Sequence, residues 1–524
     1  MNVGLALFVV SILTLGYVGG SGYLGYNDSD GSYAWTSTDK TMIECSNGNR
    51  YNATVTNIQI AINSVGASGK ISVPKGNYYT SSGIDLHNNT EVTFEPGVFI
   101  ELTDNPIRIG SNCTLILYGA KIKLRSSNGA TTSVRGIQVY PVCKNSFIMG
   151  GEMNGNYSTI TDTATARTEG IRTTSSSAET DWAINLHIYD MYIHDCTHSL
   201  VVPGGENIII GGCRFSNSTN DHAVYSSMSS NNFGFHVSNC EFFGFFDRSV
   251  VQFGGNGNTL EQCTFHNFVV NPDVSNSYSC IHWVHVKLGS SGTVISNNVI
   301  TVTKNLSIGI NMEGNRIIFS GNVINATNTN YSAEALIRIT TGSSNVSISH
   351  NTVYGWGDGL LYQMVLSVSA AKNITISDNI FTSKKALSRG MQLGSTITKI
   401  MITGNVIQSA GYAFRTSGTG VTNMIVTGNT ITGDWVGSTG LSNSIIKDNI
   451  ITGTQPNYQT CTNVINKDNI GLNYNYFYPF YNQSTAPTML DDTWAYWYDN
   501  DENFFYMVCR VNNTVFYYNT TKTI

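Results

Sequence analysis

The chain has 524 residues and a net charge of −6, and only 12% of its residues are charged, against about 25% in a typical soluble protein. It contains no run of Lys and Arg residues, which argues against nucleic acid as a partner. Gly, Asn, Ser and Thr take the place of the missing charges, and a surface of hydroxyl and amide groups suits an extracellular protein.

The N-terminus contains an apolar segment. Residues Val3 to Val18 carry no charge, and this run of 16 residues is short for a membrane span of about 20. Small residues follow it, although a basic n-region and an A-x-A site are missing. We expect residues 1–20 to be a signal peptide or an uncleaved anchor, and residues 21–50 to be a lead-in segment. The protein is then secreted or cell-surface, it meets a membrane only through this segment, and N-x-S/T sequons such as Asn88 permit glycosylation.

A single short helix is predicted before the repeats begin. Ile58, Ala61, Ile62 and Val65 recur at spacings of three and four and share one helical face. Asn57 is the predicted N-cap. Because a stacked core must be closed at its ends, we expect this helix to cover the N-terminal end of the repeat domain.

One pattern recurs along the chain: an apolar residue, two further residues, a small or amide residue, one residue and another apolar residue. Ile376-Ser-Asp-Asn379-Ile-Phe381 is an example. The central position is occupied by Gly76, Gly97, Ala120, Gly151, Met191, Cys213, Cys240, Cys263, Asn298, Asn322, Asn351, Asn379, Asn405, Asn429 and Asn449, with a weaker copy at Asn469. Most copies are about 20 to 30 residues apart, a period typical of a solenoid.

Short alternating segments between Gly, Asn and Ser turns favour β-strands, and the framework of leucine-rich repeats is absent. The sequence therefore predicts an all-β parallel β-helix over residues 51–475, in which each coil adds one strand to each of about three sheets. We expect the central Asn side chains to stack in the core and to donate hydrogen bonds to one another. Cys213, Cys240 and Cys263 continue that column as core thiols rather than disulfides or metal ligands.

The character of the sequence changes after about residue 476. Three aromatic segments, which begin at Asp492, Phe504 and Val515, predict a small antiparallel β module over residues 476–524. Two interpretations remain open, namely a C-terminal cap and an aromatic module that binds carbohydrate or a partner. Cys461 and Cys509 are candidates for a disulfide between the last coil and this module.

The start of the repeat domain resembles a known superfamily. Cys45-Ser-Asn-Gly48, the helix after it and Gly69-Lys-Ile-Ser-Val-Pro-Lys-Gly-Asn-Tyr78 are similar to the beginning of pectate-lyase-like domains, which have the right-handed parallel β-helix of the pectin lyase fold. The resemblance covers residues 36–475. It implies an exported protein that acts on or binds polysaccharide, and the same fold serves lyases, hydrolases, adhesins and phage tailspikes.

Histidines mark one region of the chain. Two long coils, of 40 and 35 residues, flank the coils centred on Met191 to Cys263, and loops longer than a scaffold requires often carry function. Eight of the ten histidines lie in this stretch: His187, His194, His198, His222, His236, His266, His282 and His285. Because imidazole transfers protons near neutral pH, this clustering indicates the functional region.

Two acidic residues of this region are candidates for catalysis. Asp221-His222 and Asp247-Arg248 occupy nearly equivalent turns of successive coils. If both carboxyl groups point outward, they lie about one rung spacing, or roughly 5 Å, apart, where two carboxylates cannot both ionise cheaply. This predicts an acid/base pair for glycoside hydrolysis, with His222 and Arg248 as further catalytic candidates. Arg248 could alternatively orient the carboxylate of a uronate.

Three further residues, His198, His282 and Arg172, are expected to bind substrate. His282 and His285 should face opposite sides of a strand, so no metal site is predicted from them, and calcium is expected only if the protein is a lyase. Asp358 has the same offset from the central Asn of its own coil, which leaves open that the turn itself selects aspartate.

The motif set of polygalacturonase-like enzymes is absent, apart from a partial likeness at Asn220-Asp221-His222. Two functions therefore remain open, and enzymatic activity is undecided. The first is a glycoside hydrolase or polysaccharide lyase. The second is a non-catalytic surface protein, an adhesin or a tailspike-type structure, that binds glycans. In both cases the expected partner is a polysaccharide or surface glycan, and the sequence predicts no oligomeric state.

Overall fold

The computed structural model describes most of the chain from residue 41 onward. The described residues are 41–126, 133–159, 167–173, 182–226, 232–269, 282–302, 308–326, 335–354, 364–383, 388–416, 420–438, 440–453, 461–471, 480–482, 493–499, 504–511 and 514–519. The predicted signal peptide or anchor, most of the lead-in segment and Asp358 lie outside these ranges. No helix within these ranges is long and apolar enough to cross a membrane.

The chain winds through three stacks of short strands, which are parallel from coil to coil. The first stack is an 18-stranded sheet that begins with an antiparallel pair. Its strands are Met42–Cys45, Arg50–Asn52, Lys70–Val73, Glu91–Phe94, Thr114–Ile116, Lys144–Met149, Ala183–Tyr189, Gly205–Gly211, Phe233–Ser238, Thr259–Glu261, Val294–Ser296, Asn315–Ser320, Ser344–Ser349, Lys372–Ser377, Thr398–Thr403, Val421–Thr427, Leu441–Lys447 and Thr462–Lys467.

The second stack follows the turn that carries the central residue of each repeat. Its strands are Asn77–Thr80, Phe99–Leu102, Lys121–Leu124, Glu152–Asn154, Tyr192–Cys196, Arg214–Ser218, Glu241–Phe246, Thr264–Phe268, Val299–Val302, Val323–Ala326, Thr352–Tyr354, Ile380–Ser383, Val406–Thr416, Thr430–Ser438, Ile450–Thr452 and Ile470–Gly471. A short 3-10 helix, Tyr157–Thr159, lies after one of these strands.

The third stack completes each coil. Its strands are Ile84–Leu86, Ile107–Ile109, Ser133–Val139, Arg167–Arg172, Val201–Val202, Val224–Tyr225, Ser249–Phe253, His282–Val286, Ile308–Met312, Ala335–Ile339, Met364–Val368 and Arg389–Leu393. The second and third stacks belong to one 28-stranded sheet, because the long strand Val406–Thr416 pairs with both. The arrangement confirms the predicted parallel β-helix.

The predicted helix spans Val55–Val65 and packs against the first strands of the β-helix. Ile58, Ala61 and Ile62 are fully buried, as their spacing predicts, and the fourth residue of that face is partly buried against the same core. The predicted N-cap is wrong by three residues. Thr54 is extended, and its side chain accepts a hydrogen bond from the backbone N–H of Asn57 at 3.3 Å.

Side chains of one kind stack in columns inside the coils. The rings of Phe215, Phe242 and Phe265 follow one another with centroids 5.2 and 4.7 Å apart. The cysteines two residues before each ring are buried and form no disulfide, as expected for core thiols. Apolar columns of this kind remove large areas from water, which is the main stabilising contribution to the fold.

The central asparagines form a continuous hydrogen-bonded ladder. Each side-chain nitrogen donates to the side-chain oxygen of the next asparagine at 2.8 to 2.9 Å, from Asn298 to Asn469. Each backbone N–H donates to the same oxygen at 2.9 to 3.0 Å. This result confirms the assigned repeat register, including the weak last copy.

The C-terminal residues form a separate four-stranded sheet. Its strands are Phe480–Asn482, Thr493–Asp499, Phe504–Val511 and Thr514–Asn519. The last three are antiparallel, but the first is parallel to its neighbour, which the prediction of an antiparallel module did not include. The side chain of Cys509 is outside the described set, so the disulfide with Cys461 stays a prediction.

The ladder predicts a large effect of one substitution. Asn379→Leu removes the oxygen that accepts from both the backbone and the side chain of Asn351, and leaving buried donors unpaired costs about 1–3 kcal/mol each. We expect a loss of about 3 kcal/mol, measured by denaturant unfolding. Asn325→Leu, at an exposed position on the second stack, should change stability by less than about 0.5 kcal/mol. Equal effects of the two substitutions would refute the structural role of the ladder.

Candidate active site

Strands of the third stack do not alternate regularly between the core and the outside. Two consecutive residues are buried in each of several strands: Leu200 and Val201, Ala223 and Val224, Val250 and Val251, Trp283 and Val284, Leu336 and Ile337, and Val365 and Leu366. The residues on either side of such a pair are three apart. We call them the outer residues, although several of them, such as Ser199, His222 and Ser249, are at most 2% exposed. The expectation that His282 and His285 face opposite ways is therefore wrong, because their ring centroids lie only 4.8 Å apart.

These outer residues form two columns along the third stack, here called the outer columns. One column contains Glu169, Ser199, His222, Ser249 and His282, and the other contains Arg172, Val202, Tyr225, Gln252, His285, Asn311 and Arg338. Successive members lie about one rung spacing, or roughly 5 Å, apart. Stacking thus brings side chains together that are 20 to 35 residues apart in the chain.

Asp221 stands at the turn between the second and third stacks, and both of its carboxylate oxygens are bonded. Oδ1 accepts a short hydrogen bond from Nδ1 of His222, and Oδ2 accepts one from Oγ of Ser199 at 2.7 Å. Burial alone raises the pKa of Asp221, but the bonds from His222 and Ser199, together with the positive charge of Arg248, outweigh it and lower the pKa below its ordinary value.

Asp247 occupies the corresponding turn of the next coil and behaves in the opposite way. Burial raises the pKa of Asp247 above its ordinary value, and the charge of Asp221 adds to this rise, against the lowering effects of Arg248 and His222. The Asp247 side chain is half-buried and Arg248 is exposed. The two carboxyl groups therefore lie within electrostatic reach of each other, with pKa values displaced in opposite directions.

His198 lies at the same turn, one coil before Asp221. Its ring nitrogen Nδ1 is 3.2 Å from Oγ1 of Thr197. Burial, followed by the charge of Arg167, lowers the pKa of His198, and the charges of Asp221 and Arg248 also act on it. The structure thus places three predicted site residues, His198, Asp221 and Arg248, in one short row across successive coils.

Arg172 is held by an ion-pair cluster at the N-terminal end of the outer columns. Glu169 is 6% exposed, and its carboxylate accepts from Nη1 of Arg172 at 2.9 and 3.0 Å and from Nε of Arg135 at 3.0 Å. One carboxylate therefore binds two guanidinium groups. This local excess of positive charge is suited to an acidic or hydroxyl-rich ligand.

His282 and His285 form the C-terminal part of the same surface. Nδ1 of His282 is 3.2 Å from Oγ of Ser249, and Nε2 of His285 is 3.3 Å from Oε2 of Glu313. Burial and the neighbouring His285 lower the pKa of His282 to about 3. Burial also lowers the pKa of His285, although the carboxylate of Glu313 opposes this shift. Both rings are thus neutral at neutral pH and can donate or accept hydrogen bonds.

Metal ligation finds no support in the described part of the chain. Within it, no three His, Cys, Asp or Glu side chains come together in an arrangement that could hold a metal ion. Calcium was expected only for a lyase, and that expectation remains untested.

The structure places the seven predicted site residues on the third stack or at the turn before it, with His222 buried, but it divides the histidine cluster. His187 and His236 belong to the first stack, and His194 and His266 to the second. Sequence reasoning missed several residues of the site, including Ser199, Tyr225, Gln252, Asn311 and Glu313. The signal that could have found Tyr225 and Gln252 is the recurring pair of polar residues three apart with two apolar residues between them, as in His222-Ala-Val-Tyr225.

No protein-family model and no curated protein matches the chain. Solved structures do match. A tailspike protein of E. coli bacteriophage HK620, in complex with a pentasaccharide, is 16% identical, with 78% of this chain and 76% of that chain covered and a TM-score of 0.49. The A-module of the mannuronan C-5 epimerase AlgE6 of Azotobacter vinelandii is 13% identical, with 80% and 95% covered and a TM-score of 0.37. PfbA, a surface adhesin of Streptococcus pneumoniae, is 11% identical, with 90% and 95% covered and a TM-score of 0.39. At such identities the likeness concerns the fold alone.

The ion-pair cluster makes a prediction about stability. Glu169→Gln removes the charge that two part-buried guanidinium groups share, and breaking such a charged, buried hydrogen-bond pair costs about 2–3 kcal/mol. Glu91→Gln removes a more exposed pair with Lys70 and should cost less than about 1 kcal/mol. Denaturant unfolding of both variants measures the difference, and similar losses would show that Glu169 is not specially required.

Proposed function

We propose that the chain is an exported polysaccharide hydrolase whose active site lies at the turn between the second and third stacks. One observation carries this proposal: Asp221 and Asp247 stand at equivalent turns of adjacent coils, and their pKa values are displaced in opposite directions. A glycoside hydrolase uses one carboxyl group that ionises readily and one that keeps its proton to higher pH, and the opposite displacements of the two pKa values match this division.

The proposed roles follow from the directions of these pKa displacements. Asp247 is the general acid, and it donates its proton to the glycosidic oxygen as the bond from that oxygen to the anomeric carbon breaks. Asp221 is the general base, and it accepts a proton from the water whose oxygen forms the new bond to the anomeric carbon. Proton and water are both accounted for, since the acid ends ionised and the base ends protonated. Although both oxygens of Asp221 already accept one hydrogen bond, a carboxylate has about four acceptor sites.

Neighbouring residues support the pair. His222 is 2% exposed, so it acts through Asp221 as a positioning residue rather than by contact with substrate. Arg248 is exposed beside Asp247 and is placed to bind a substrate oxygen. His198, His282 and Arg172 extend the surface along the outer columns in both directions. A polysaccharide that runs parallel to the helix axis would contact all three.

A second candidate function is a non-catalytic surface that binds glycans, as in an adhesin or a tailspike-type protein. The bonding of both Asp221 oxygens within the protein and the burial of His222 favour this alternative, because a carboxylate held in this way can also serve only to shape the surface. Both functions require an extracellular location, which agrees with the apolar segment at residues 1–20.

A screen of purified protein distinguishes the two functions. Polygalacturonate and alginate represent polysaccharides with uronates, and galactomannan and dextran represent neutral ones. Hydrolysis releases reducing ends without ultraviolet absorbance, whereas a lyase also produces unsaturated, absorbing products. Binding without either product would favour the non-catalytic surface.

Mutation of the carboxylates tests the catalytic roles. Asp221→Asn and Asp247→Asn should each lower kcat about 10²–10⁴-fold, because loss of a general acid or base has effects of this size. Circular dichroism and the melting temperature should show an intact fold. Asp378→Asn, at an exposed turn of a distant coil, should leave the rate unchanged. Equal losses in all three variants would assign the aspartates to folding rather than to chemistry.

The pH dependence of kcat/KM tests the assignment of acid and base. Activity requires protonated Asp247 and ionised Asp221, so the rate should fall as pH rises through the pKa of Asp247 and as pH falls through the pKa of Asp221. Ser199→Ala removes a hydrogen bond to the ionised form of Asp221 and therefore raises its pKa. The acid limb should move to higher pH while the alkaline limb stays in place. A profile that does not move would contradict the role of Asp221 as the base.

A further inference from the structure

A row of residues with left-handed backbone conformation runs along the edge of the first stack where the chain enters it. From the strand Ser344–Ser349 onward the row consists of Asn345, Asn373, Lys399, Asn423, Asn443 and Asn463, one from each coil. Asparagine adopts this conformation more readily than most residues. Lys399 departs from the pattern with a φ of 59°. A lysine is less favourable there than an asparagine, which indicates a role beyond the turn itself.

Lys399 also interrupts a series of amide hydrogen bonds. Nδ2 of Asn373 donates to Oδ1 of Asn345 at 3.1 Å, and Nδ2 of Asn463 donates to Oδ1 of Asn443 at 3.1 Å. Lys399 lies between Asn373 and Asn423 and has no amide with which to continue the series. Oδ1 of Asn373 and the whole amide of Asn423 therefore have no hydrogen-bond partner among the described residues. Asn373, Lys399 and Asn423 are all exposed, so a ligand can reach them.

These side chains form one wall of an open groove on the first stack, with a volume of about 560 Å³. The other wall lies two residues further along the same strands and consists of Ser347, Thr375, Met401 and Ile425, which stack in register. Met401 and Ile425 are 40% and 38% exposed. The groove therefore runs along the helix axis over four coils, or roughly 14 Å, and its second wall combines hydroxyl groups with apolar side chains.

The strands around the groove are positively charged, although the whole chain has a net charge of −6. The seven strands of the first stack from Asn315–Ser320 to Thr462–Lys467 contain no acidic residue and five basic ones, namely Arg316, Lys372, Lys399, Lys447 and Lys467. Lys447 and Lys467 lie 3.3 and 4.0 Å from the aspartates that follow them. Arg316, Lys372 and Lys399 form no ion pair with a described residue. The groove thus has cations available for an acidic ligand.

We propose that this groove binds an acidic polysaccharide that contains uronate residues, and that Lys399 binds one of its carboxylates. The amides of Asn373 and Asn423, on either side of Lys399, accept from and donate to sugar hydroxyl groups. Met401 and Ile425 contact the C–H groups of the sugar rings. The residues that line the groove include no aromatic ring on which a nucleotide base could stack, which disfavours nucleic acid.

This site is separate from the proposed active site and does not rest on the proposed function. The groove lies on the first stack, whereas Asp221 and Asp247 stand at the turn between the second and third stacks. A polysaccharide bound in the groove would hold the protein on an acidic glycan surface, whether or not the carboxyl groups of Asp221 and Asp247 are catalytic.

Lys399→Asn tests the site, because asparagine removes the cation and suits the left-handed backbone. Affinity electrophoresis in gels that contain alginate or dextran gives dissociation constants for an acidic and a neutral polysaccharide. We expect the variant to bind alginate about tenfold more weakly, because a hydrogen bond to a charged group is lost. Its melting temperature should be unchanged or higher. Because Asn345 and Asn373 each begin an N-x-S/T sequence, the protein is produced in a host that attaches no N-glycans.

Lys144→Asn is the matched control. Lys144 is an exposed lysine at the start of a first-stack strand on a distant coil, and it precedes Asn145, another residue with left-handed conformation. The substitution changes the net charge of the protein by the same amount as Lys399→Asn. We expect this variant to bind alginate as the wild type does, which separates a specific contact at Lys399 from a general effect of charge.

Several results would overturn the site. They are wild-type affinity for alginate in Lys399→Asn, an equal loss in Lys144→Asn, wild-type protein that binds dextran as tightly as alginate or binds neither, and single-stranded DNA that binds as tightly as alginate and also requires Lys399. Failure of the proposed function has a different signature. A protein that binds alginate through Lys399 but releases no reducing ends from any polysaccharide keeps this site and loses the hydrolase.

Discussion

The structure depends on one constraint, which is that each coil must place its inward side chains directly on those of the coil before it. Backbone hydrogen bonds between parallel strands set the spacing at about 4.8 Å, and a side chain of the wrong size or polarity would disturb both neighbours. The asparagine ladder from Asn298 to Asn469 satisfies this constraint with amides, because each donates to the next. The phenylalanine column satisfies it with stacked rings.

The same constraint fixes the outer surface. A ladder with 2.8 to 2.9 Å bonds allows no slip of register between coils, so the outward residues are aligned as closely as the inward ones. In the third stack, the residues on either side of two consecutive buried residues are three apart. Side chains on these positions are then brought beside those of adjacent coils, as Gln252 is beside His285. The alignment of side chains in two columns along the third stack therefore follows from core packing.

Much of the fold could be predicted because its determinants are repeated along the chain. A central residue that recurs every 20 to 30 positions indicates the length of a coil, and its residue type indicates which kind of side chain stacks at that position in the core. Structural details that occur only once in the chain were harder to predict. The N-cap was placed at Asn57 instead of Thr54 because both are good capping residues and only the backbone conformation distinguishes them. The predicted orientation of His282 and His285 was wrong because side chains do not alternate strictly between the two faces of a strand where two consecutive residues are buried.

The candidate site was predictable in part for the same reason. Asp221 and Asp247 were found because they recur at one turn, and recurrence is visible in sequence. The hydrogen bonds of these aspartates could not be predicted, since Ser199 and Asp221 are 22 residues apart and come into contact only because the coils stack. Half of the clustered histidines lie on other faces, such as His187, whose ring centroid is 4.7 Å from that of Phe147. Closeness in sequence within a coil therefore does not imply a shared face.

The divergence of the two carboxyl groups also has its origin in stacking. Asp221 has Ser199 and His222 as donors because the preceding coil and its own turn supply them, whereas Asp247 has burial and the charge of Asp221 acting on it. Hydrogen-bond donors lower the pKa of Asp221, and the charge of Asp221 contributes to the raised pKa of Asp247 in the next coil. The carboxyl groups of two similar turns thus acquire pKa values that are displaced in opposite directions. The asymmetry combines a difference in the local sequence of the turns, His222 against Arg248, with a difference in what lies one rung away, since Ser199 belongs to the preceding coil.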